Sequence, residues 1–240
     1  MQQPLYGLIG GKLGHSYSKI IHEQIADYTY DLLPLPTEAE ARAFMEKRAF
    51  AAINVTIPYK QLVIPYCDEV DPKAKAIGAV NTIVNRDGKL YGYNTDYAGF
   101  AYLAKAHGVD FADKTVLILG TGGASKAVYR GLENLGIESV FVSRTKKDSS
   151  FLTYEELSPE IMAEYTVIVN CTPVGMFPKV DFCPNIPYEE LTPNHLLYDL
   201  LYNPNETLFM KKGKAQGAVT KNGLEMLLLQ AFAAWEIWNK

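Results

Sequence analysis

Few cysteines, no long apolar segment and no block of a single charge mark this sequence, and each absence excludes a class of protein. The three cysteines, Cys67, Cys171 and Cys183, are unevenly spaced and form neither a disulfide framework nor a metal-binding pattern. No apolar run is long enough to cross a membrane, and the first residues lack the basic start and apolar core of a secretory signal. We therefore predict a cytoplasmic protein with no membrane contact and no metal site.

Charge and composition restrict the partners further. The 240 residues include 23 Lys and Arg against 27 Asp and Glu, which gives a net charge of -4 without a basic block. Nucleic acid is therefore not the expected partner. A hydrophobic content of 48% and a charged content of 21% are typical of a globular protein, and the chain is long enough for two modest domains. We predict that the partner is a small-molecule substrate.

The segment Gly120-Thr121-Gly122-Gly123-Ala124 carries the strongest local indication of a ligand. It follows an apolar run, 116–119, and it precedes a helical pattern. Gly120 permits the tight turn of a dinucleotide-binding site, while Gly122 and Gly123 let backbone N–H groups approach a pyrophosphate at the positive end of a helix. The spacing departs from the usual G-x-G-x-x-G, and a glycine-rich turn without a ligand is the other interpretation. The surrounding order of strand, turn, helix and second strand favours the dinucleotide.

The end of that second strand indicates which nucleotide binds. NAD sites usually place Asp or Glu there, about 20 residues past the glycines, to hold the ribose 2′-hydroxyl. Here the strand ends in Ser143-Arg144-Thr145, and the first acid is Asp148. The Arg144 guanidinium can lie against a 2′-phosphate, so NADP is predicted in preference to NAD. A solvated basic turn is the alternative interpretation.

Strand-like and helix-like stretches alternate along nearly the whole chain, which predicts an α/β fold. From residue 115 onward the alternation predicts a parallel sheet with helices on both faces. In the first part of the chain, Asp87-Gly88 predicts a hairpin. Thr37 and Glu40 form a Thr-x-x-Glu capping pattern at the start of a predicted helix.

These elements predict two domains. Residues 1–97 form an α/β substrate-binding domain, and residues 98–221 form a Rossmann-like NADP-binding domain. A helix over 97–107 crosses between them, and a last amphipathic helix within 222–240 returns to the first domain. The active site is expected in the cleft between the domains, at the carboxyl ends of the strands.

Three polar clusters precede the glycine turn, at 14–18, 54–60 and 93–96. Within them, Lys60 and Asp96 are a lysine and a carboxylate set inside otherwise uncharged motifs. A hydride delivered to a ketone leaves an alkoxide, and a lysine beside a carboxylate can supply the proton that the alkoxide needs. A surface lysine and a helix N-cap aspartate are the other interpretations.

The first cluster offers a site for an anion. Ser16 and Ser18 alternate along the chain, so in an extended loop both hydroxyls face one side and can bind a carboxylate. A Ser-x-Ser pair by itself is more often part of a helix-capping loop, which is the other interpretation.

Taken together and in this order, the motifs resemble shikimate dehydrogenase over nearly the whole chain. The matching segments are 15–18, 54–60, 78–82, 94–96, 120–124, 143–145 and 223–230. The family reduces 3-dehydroshikimate to shikimate with NADPH, in the chorismate route to aromatic amino acids. The resemblance implies the same reaction and the same cofactor for this chain.

The resemblance also implies a role for each matching residue. Lys60 would be the general acid in reduction and the base in the reverse reaction, while Asp96 would orient Lys60 and accept a hydrogen bond from a substrate hydroxyl. The implied substrate contacts are Ser16, Ser18, Thr56, Asn81, Tyr202 and Gln230. The implied cofactor contacts are Gly120, Gly122, Gly123, Ala124, Ser143, Arg144, Thr145, Gly223 and Met226. Polar capping by Asn81 and Gln230 and core packing by Met226 are the ordinary alternatives.

Three departures from the family pattern bear on these roles. Lys19 stands where the family usually has proline, which adds a positive charge beside the carboxylate site. Asp148 stands where a second basic residue often follows the arginine, so Lys146 or Lys147 would have to compensate. The interval from 144 to 167 has little room for a full helix and a strand, so the nucleotide domain is expected to be trimmed.

Two other functions stay open from the sequence. A quinate/shikimate dehydrogenase that uses NAD would share the same motifs, although Ser16 and Thr56 favour shikimate. A non-catalytic NADP or metabolite sensor could reuse the fold, although it would need neither Lys60 nor Asp96. The chain is expected to act as a monomer or a homodimer.

Overall fold

The computed structural model describes residues 4–14, 16–96, 115–146, 148 and 150–240. The predicted crossing helix over 97–107, His15 and Lys147 lie outside these ranges. The chain divides into two compact units, Met1–Gly99 with Leu227–Lys240, and Phe100–Met226. The domain limits predicted from the sequence, after residues 97 and 221, stay a prediction.

The first unit contains a mixed six-stranded sheet. Its strands are β1 (Tyr6–Gly10), β2 (Tyr30–Pro34), β3 (Ala52–Val55), β4 (Glu69–Val70), β5 (Thr82–Arg86) and β6 (Lys89–Tyr93). The order across the sheet is β2-β1-β3-β5-β6-β4, with β1 parallel to β2 and β3, and with β5 antiparallel to β3 and β6. Because β5 runs against its neighbours, its first residues lie at the same edge as the last residues of β1, β3 and β6.

The helices of the first unit build its core on this sheet. They are α1 (Ser18–Ile25), α2 (Glu38–Lys47) and α3 (Pro72–Ile77). Helix α2 begins with the predicted capping box, in which Thr37 Oγ1 accepts the Glu40 N–H at 3.3 Å and Glu40 Oε2 accepts the Thr37 N–H at 2.9 Å. Met45 of α2 is fully buried in one apolar cluster with Ile9 and Ile53 of the sheet.

The predicted hairpin joins β5 and β6. Asp87 and Gly88 both have positive φ, 53° and 86°, as the two central residues of a type I′ turn do. The register that follows sets Thr82 opposite Tyr93, and on its other side Thr82 faces Asn54 of β3. The turn therefore fixes a polar residue of β5 beside a polar residue of β3.

The second unit contains a six-stranded sheet in which every described pair of neighbours is parallel. Its strands are β7 (Val116–Leu119), β8 (Ser139–Ser143), β9 (Phe151–Thr153), β10 (Val167–Asn170), β11 (Leu196–Asp199) and β12 (Val219–Lys221), in the order β12-β11-β10-β7-β8-β9. The helices are α4 (Gly123–Asn134), α5 (Pro159–Glu164), α6 (Leu208–Ala215) and α7 (Leu224–Trp238), the last of which continues into the first unit. The central strands β7 and β10 are buried along their whole length, as strands covered on both faces are. The predicted α/β fold with a parallel second sheet is confirmed.

The connection between β8 and β9 is short for two parallel neighbours. Parallel strands normally need a crossover of about a dozen residues or more, usually a helix, whereas residues 144–150 join these two. The stretch from β9 to β10 holds a 3₁₀ turn (Tyr154–Glu156) and helix α5. The interval from 144 to 167, which was expected to be too short for a full helix and a strand, thus contains a short strand and a short helix. The helix follows the strand instead of preceding it.

Candidate active site

One edge of the first sheet gathers the polar clusters. The loop after β3 begins at Thr56 and reaches Lys60, Asn81 directly precedes β5, and Asp96 follows β6. Strand direction brings these segments together, since the carboxyl ends of β3 and β6 and the amino end of β5 share that edge. Ser16 follows β1, whose carboxyl end lies at the same edge. Lys60 and Asn81 are joined there through Asp96, while Thr56 and Ser16 follow strands that end at the same edge.

Lys60 and Asp96 form a direct ion pair at this edge. Lys60 Nζ lies 2.6 Å from Asp96 Oδ2, and the two side chains are 17% and 11% exposed. With little water around them, their attraction is screened less than that of a surface pair. The Lys60 carbonyl accepts the N–H of Val80 at 2.8 Å, which anchors the lysine's segment beside β5. The structure thus brings the two predicted catalytic residues into contact.

Asn81 holds the other oxygen of the carboxylate. Its Nδ2 donates to Asp96 Oδ1 at 2.9 Å and to Thr95 Oγ1 at 3.0 Å, while its Oδ1 accepts the Thr95 N–H at 2.8 Å. Asn81 is only 3% exposed, and both protons of its amide are used within the protein. Asp96 is therefore held from two sides, by Lys60 on one oxygen and by Asn81 on the other.

The two predicted carboxylate-binding serines lie in a turn. Tyr17, between them, has φ -81° and ψ -5°, and Ser18 is the first residue of α1. Ser16 Oγ accepts the N–H of Ser18 at 3.3 Å, and Ser18 is buried. The expected extended geometry is therefore wrong, because the chain turns into the helix at Tyr17. The serines instead lie at the N-terminus of α1, where the helix dipole favours an anion.

Lys19, at the position where the resemblance expects proline, is fixed by partners of its own. Its Nζ donates to the Tyr30 carbonyl at 2.7 Å and pairs with Glu23 Oε1 at 2.7 Å. Glu23 also accepts the N–H of Tyr30 at 3.1 Å, and its bond to Lys19 lowers the pKa of its carboxyl. The added charge is thus matched by Glu23, and together the two side chains attach α1 to β2.

Gln230 reaches the same polar cluster from the last helix. Its Oε1 accepts the Thr95 hydroxyl at 3.4 Å, and its Nε2 donates to the Leu227 carbonyl at 3.1 Å. Near the other end of α7, the Ile237 carbonyl accepts a hydrogen bond from Arg86 of β5 at 3.1 Å. The part of α7 in the first unit is therefore attached at Gln230 to the loop after β6 and at Ile237 to the last residue of β5.

The glycine turn of the second unit has the predicted surroundings. β7 ends at Leu119, and α4 begins at Gly123. Gly120 has φ 102°, where L side chains are rarely found, and an added Cβ would lie 3.0 Å from Thr172 Cγ2. Gly122 is exposed, and an added Cβ would meet no atom within 4 Å. The space beside the N-terminus of α4 is therefore open to a ligand.

The turn after β8 contains the residues predicted for the 2′-phosphate. Arg144 and Thr145 are exposed. The Ser143 hydroxyl is bonded to the backbone of Thr145, whose N–H it accepts at 3.3 Å. Asp148 Oδ1 accepts the N–H and the hydroxyl of Ser150, at 2.8 Å and 2.5 Å, so this carboxylate caps its own turn.

Lys146 is one of the two lysines that could replace the missing basic residue, and it is already paired. Its Nζ lies 2.6 Å from Glu156 Oε1, with the two side chains 47% and 39% exposed. Glu156 Oε2 accepts the Thr153 N–H at 2.8 Å, which holds the carboxylate at the end of β9. The bond to Lys146 lowers the pKa of Glu156. The short connection between β8 and β9 thus brings an acid back to the basic turn.

Gly223 and Met226 lie at the start of α7. An added Cβ at Gly223 would lie 2.1 Å from the Leu200 carbonyl oxygen, and the Gly223 N–H donates to the Leu201 carbonyl at 3.0 Å. The close approach of two backbone segments therefore requires glycine here, with or without a cofactor. Met226 is 7% exposed, which fits the core-packing alternative.

The structure reveals a buried carboxylate, Asp199, close in sequence to Tyr202, which the sequence analysis did not identify. Asp199, at the end of β11, accepts Asn170 Nδ2 and the Leu201 N–H at 3.0 Å each and the Thr207 hydroxyl at 2.5 Å. Burial raises the pKa of Asp199 to about 6. These bonds fix both ends of the segment that carries Tyr202. Asn170 and Asp199 end two adjacent buried strands, and polar residues at that position are the sequence signal that could have identified this pair.

A cavity of about 660 Å³ opens elsewhere in the second unit, lined by Tyr154, Cys183, Tyr188, Lys212 and their neighbours. None of the residues predicted to bind substrate or cofactor lines it, so it gives no support to those assignments. Within the described ranges, no group of three or more His, Cys, Asp and Glu side chains is placed to hold a metal ion. None of the helices in those ranges has the length and apolar character needed to cross a membrane.

The chain is similar in sequence to known proteins. A family profile described as the shikimate dehydrogenase substrate binding domain matches residues 8–83. A shikimate dehydrogenase (NADP(+)) of Clostridium beijerinckii is 42% identical over 252 residues, which cover 98% of this chain and 92% of that protein. The chain belongs to the shikimate dehydrogenase family.

Solved shikimate dehydrogenases have the same fold. Shikimate dehydrogenase 1 from Peptoclostridium difficile superposes with a TM-score of 0.89 at 38% identity, covering 99% of this chain and 92% of that chain. The shikimate dehydrogenase of Thermus thermophilus, solved with NADP(H) and shikimate, gives 0.86 at 31% identity, over 98% and 93% of the two chains. The matched substrate-binding segment contains Ser16, Ser18, Thr56, Lys60 and Asn81, whereas Asp96 lies beyond it.

Proposed function

We propose that this protein is an NADP-dependent shikimate dehydrogenase that reversibly reduces 3-dehydroshikimate to shikimate. The observation that carries the proposal is the Lys60–Asp96 pair, 2.6 Å apart and mostly buried. Asn81 is bonded to Asp96, and the segments that carry Ser16 and Thr56 follow β1 and β3, whose carboxyl ends lie at the same edge of the sheet. Family membership supports the reaction, and this pair supplies the proton chemistry that the reaction needs.

Lys60 is the proposed source of the proton. Reduction adds a hydride to the ketone carbon and a proton to its oxygen. NADPH, when bound, supplies the hydride. As the alkoxide forms, an N–H bond of the Lys60 ammonium breaks, an O–H bond forms, and Lys60 is left as the amine. Asp96 stabilises the ammonium before transfer and can accept a hydrogen bond from a substrate hydroxyl. In the reverse direction Lys60 is the base.

The substrate is proposed to be bound by the residues around this pair. Ser16 and Ser18, at the N-terminus of α1, suit the substrate carboxylate because hydroxyls and a helix N-terminus both favour an anion. By the family resemblance, Thr56, Asn81 and Gln230 are assigned to the substrate's polar groups, mainly its ring hydroxyls, and Tyr202 is assigned to the region of the carboxylate and the nicotinamide. Of these, Asn81 already gives both amide protons to Asp96 and Thr95, so its effect on the substrate passes largely through Asp96.

The residues of the second unit fit NADP. The open N-terminus of α4, at Gly122, offers backbone N–H groups to a pyrophosphate. Asp148 caps its own turn through Oδ1, and the Arg144 side chain nearby is exposed. The proposed cofactor contacts are Gly120, Gly122, Gly123, Ala124, Ser143, Arg144, Thr145, Gly223 and Met226. We also propose residues 1–97 with 222–240 as the substrate domain and 98–221 as the cofactor domain.

The proposal is tested by following reduced nicotinamide absorbance with shikimate and NADP. The protein should reduce NADP, and Lys60→Ala should lower kcat by about a hundredfold or more, as loss of a general acid–base does. Lys75→Ala, which changes an exposed lysine of α3, is the matched control and should keep full activity. Equal activity of the two variants would contradict the role of Lys60.

Two further arms of the same assay address the other functions. Turnover only with quinate or only with NAD would make the protein a quinate/shikimate dehydrogenase of the same family. Nucleotide binding without turnover of either substrate would favour a sensor. Turnover of shikimate with NADP excludes the sensor.

A further inference from the structure

The Asn81 side chain can hold Asp96 in only one of the two orientations open to its amide. With Nδ2 toward Asp96 Oδ1, at 2.9 Å, the amide donates to the carboxylate. With the amide reversed, its oxygen would face the carboxylate oxygen, and the two acceptors would repel each other. The geometry of the Lys60–Asp96 pair therefore depends on whatever fixes the amide of Asn81.

Three donors reach the oxygen of that amide, of which the Thr95 hydroxyl, at 3.3 Å, is the most distant. The backbone N–H of Thr95 donates to Asn81 Oδ1 at 2.8 Å, and the Thr82 hydroxyl donates to the same oxygen at 3.1 Å. A hydroxyl has a single proton, so the direction in which Thr82 donates matters. Asn54 Nδ2 donates to Thr82 Oγ1 at 3.0 Å. Of the two acceptors near the Thr82 hydroxyl, Asn81 Oδ1 at 3.1 Å is closer than Thr95 Oγ1 at 3.4 Å, so the Thr82 proton goes to Asn81.

Asn54 is oriented in turn by Tyr30. The Tyr30 hydroxyl donates to Asn54 Oδ1 at 2.8 Å, which directs the Asn54 amide nitrogen toward Thr82. Tyr30 and Thr82 are fully buried, and Asn54 is 4% exposed. Every donor in this series points the same way, from Tyr30 toward Asp96. Bonds aligned in this manner strengthen one another where water is excluded.

We infer that Thr82 is a positioning residue for the catalytic pair. Its hydroxyl converts the orientation of Asn54 into that of Asn81, and Asn81 then presents one carboxylate oxygen of Asp96 to Lys60. The inference rests on the proposed function in that Lys60 and Asp96 are taken as the catalytic pair. The register that sets Thr82 opposite Asn54 makes the contact possible.

Two substitutions of Thr82 separate the hydroxyl from the side-chain shape. Thr82→Val keeps the shape and removes the hydroxyl, whereas Thr82→Ser keeps the hydroxyl. We expect kcat with shikimate and NADP to fall about tenfold in Thr82→Val, the effect of one lost buried hydrogen bond, and to stay near wild type in Thr82→Ser. The KM for NADP should be the same in both. The pH at which kcat is half-maximal should move in Thr82→Val only.

A readout without turnover keeps this inference distinct from the proposed function. Acetic anhydride acylates lysine amines, and mass spectrometry can follow Lys60 against the exposed Lys75 in the same sample. Loosening Asp96 should raise the Lys60 rate several-fold in Thr82→Val and leave it unchanged in Thr82→Ser. Tyr30→Phe removes the first donor while keeping the ring, and serves if Thr82→Val does not fold; it should shift both readouts in the same direction.

The outcomes decide between positioning and ordinary packing. A loss of kcat and a faster Lys60 acylation in Thr82→Val that Thr82→Ser restores would support the inference. Equal kcat and equal acylation rates in the two variants would overturn it, even if the wild type turns over shikimate. An inactive wild type whose Lys60 acylation still separates the two variants would overturn the proposed function and leave the positioning role standing.

Discussion

The ammonium of Lys146 lies 2.6 Å from Oε1 of Glu156, so the basic turn after β8 carries its own counter-ion. A 2′-phosphate bound by Arg144 would compete with Glu156 for that lysine. Because both side chains are well exposed, the competition is worth only a modest free energy.

Removing the charge of Glu156 should therefore tighten NADP binding. Glu156→Gln is expected to lower the KM for NADP by about two- to fivefold, which is the range of an exposed ion pair, with no change in the KM for NAD. Glu155→Gln, at the exposed neighbouring position, is the matched control. A KM for NADP that is equal in the two variants would show that Lys146 does not reach the phosphate.

Removing Arg144 should act in the opposite direction and more strongly. Arg144→Ala is expected to raise the KM for NADP by about ten- to a hundredfold, the loss of hydrogen bonds from a charged group, and to leave the KM for NAD unchanged. Arg130→Ala changes an arginine of α4 that pairs with Glu133 and serves as the control. Equal losses with NADP and NAD in Arg144→Ala would mean that this arginine does not read the 2′-phosphate.

Asp199 should make the protein less stable as the pH rises from about 4 to 6. Its pKa is raised from 3.8 to about 6 by burial, so in this range the folded protein holds a proton that the unfolded chain has lost. Ionisation of Asp199 then costs the folded state on the order of 3 kcal/mol at neutral pH. The melting temperature of wild type should fall relative to Asp199→Asn between pH 4 and pH 7. Equal changes of melting temperature with pH in the wild type and in Asp199→Asn would contradict a raised pKa of Asp199.

His22 should have the opposite effect on stability at acidic pH. Burial lowers the pKa of His22 from 6.5 to about 4, and its ring stacks 4.2 Å from Tyr30 and 5.1 Å from Trp238. Below pH 6.5 the unfolded chain takes up a proton that the folded protein refuses, so stability falls as the pH drops toward 4. His22→Phe keeps an aromatic ring in the stack but cannot be protonated. Its melting temperature should therefore fall less than that of the wild type as the pH is lowered from 6.5 to 4. If the melting temperatures of the wild type and of His22→Phe fall equally over this pH range, the His22 imidazole is not held neutral in the folded protein.

The local parts of the fold could be predicted because short stretches of sequence determine them. The apolar run ending at Leu119 predicted β7, and the Asp87-Gly88 pair predicted a turn that needs two positive φ angles. Strand β4 and helix α3 were not predicted, since two and six residues give no measurable periodicity. The serine loop was assigned the wrong conformation because alternation along the sequence says nothing about the turn at Tyr17.

The site could be predicted only as a set of residues. Lys60 and Asp96 were marked by their uncharged surroundings and by the family resemblance, and the structure joins them. The series from Tyr30 to Asn81 could not be predicted, because it depends on strand register and on burial. Tyr30 and Asn54 are 24 residues apart in the chain, and only the sheet brings them within 2.8 Å.

The short link between β8 and β9 carries Arg144 and Thr145, which we propose as contacts of the 2′-phosphate. Residues 144–150 are held at both ends by neighbouring strands of one sheet, so a donor loop of the same length could be grafted without rebuilding a helix. On the proposed cofactor assignment, we expect nucleotide preference to be exchanged by replacing this link together with Glu156, which lies in the 3₁₀ turn after β9, without replacing a helical crossover.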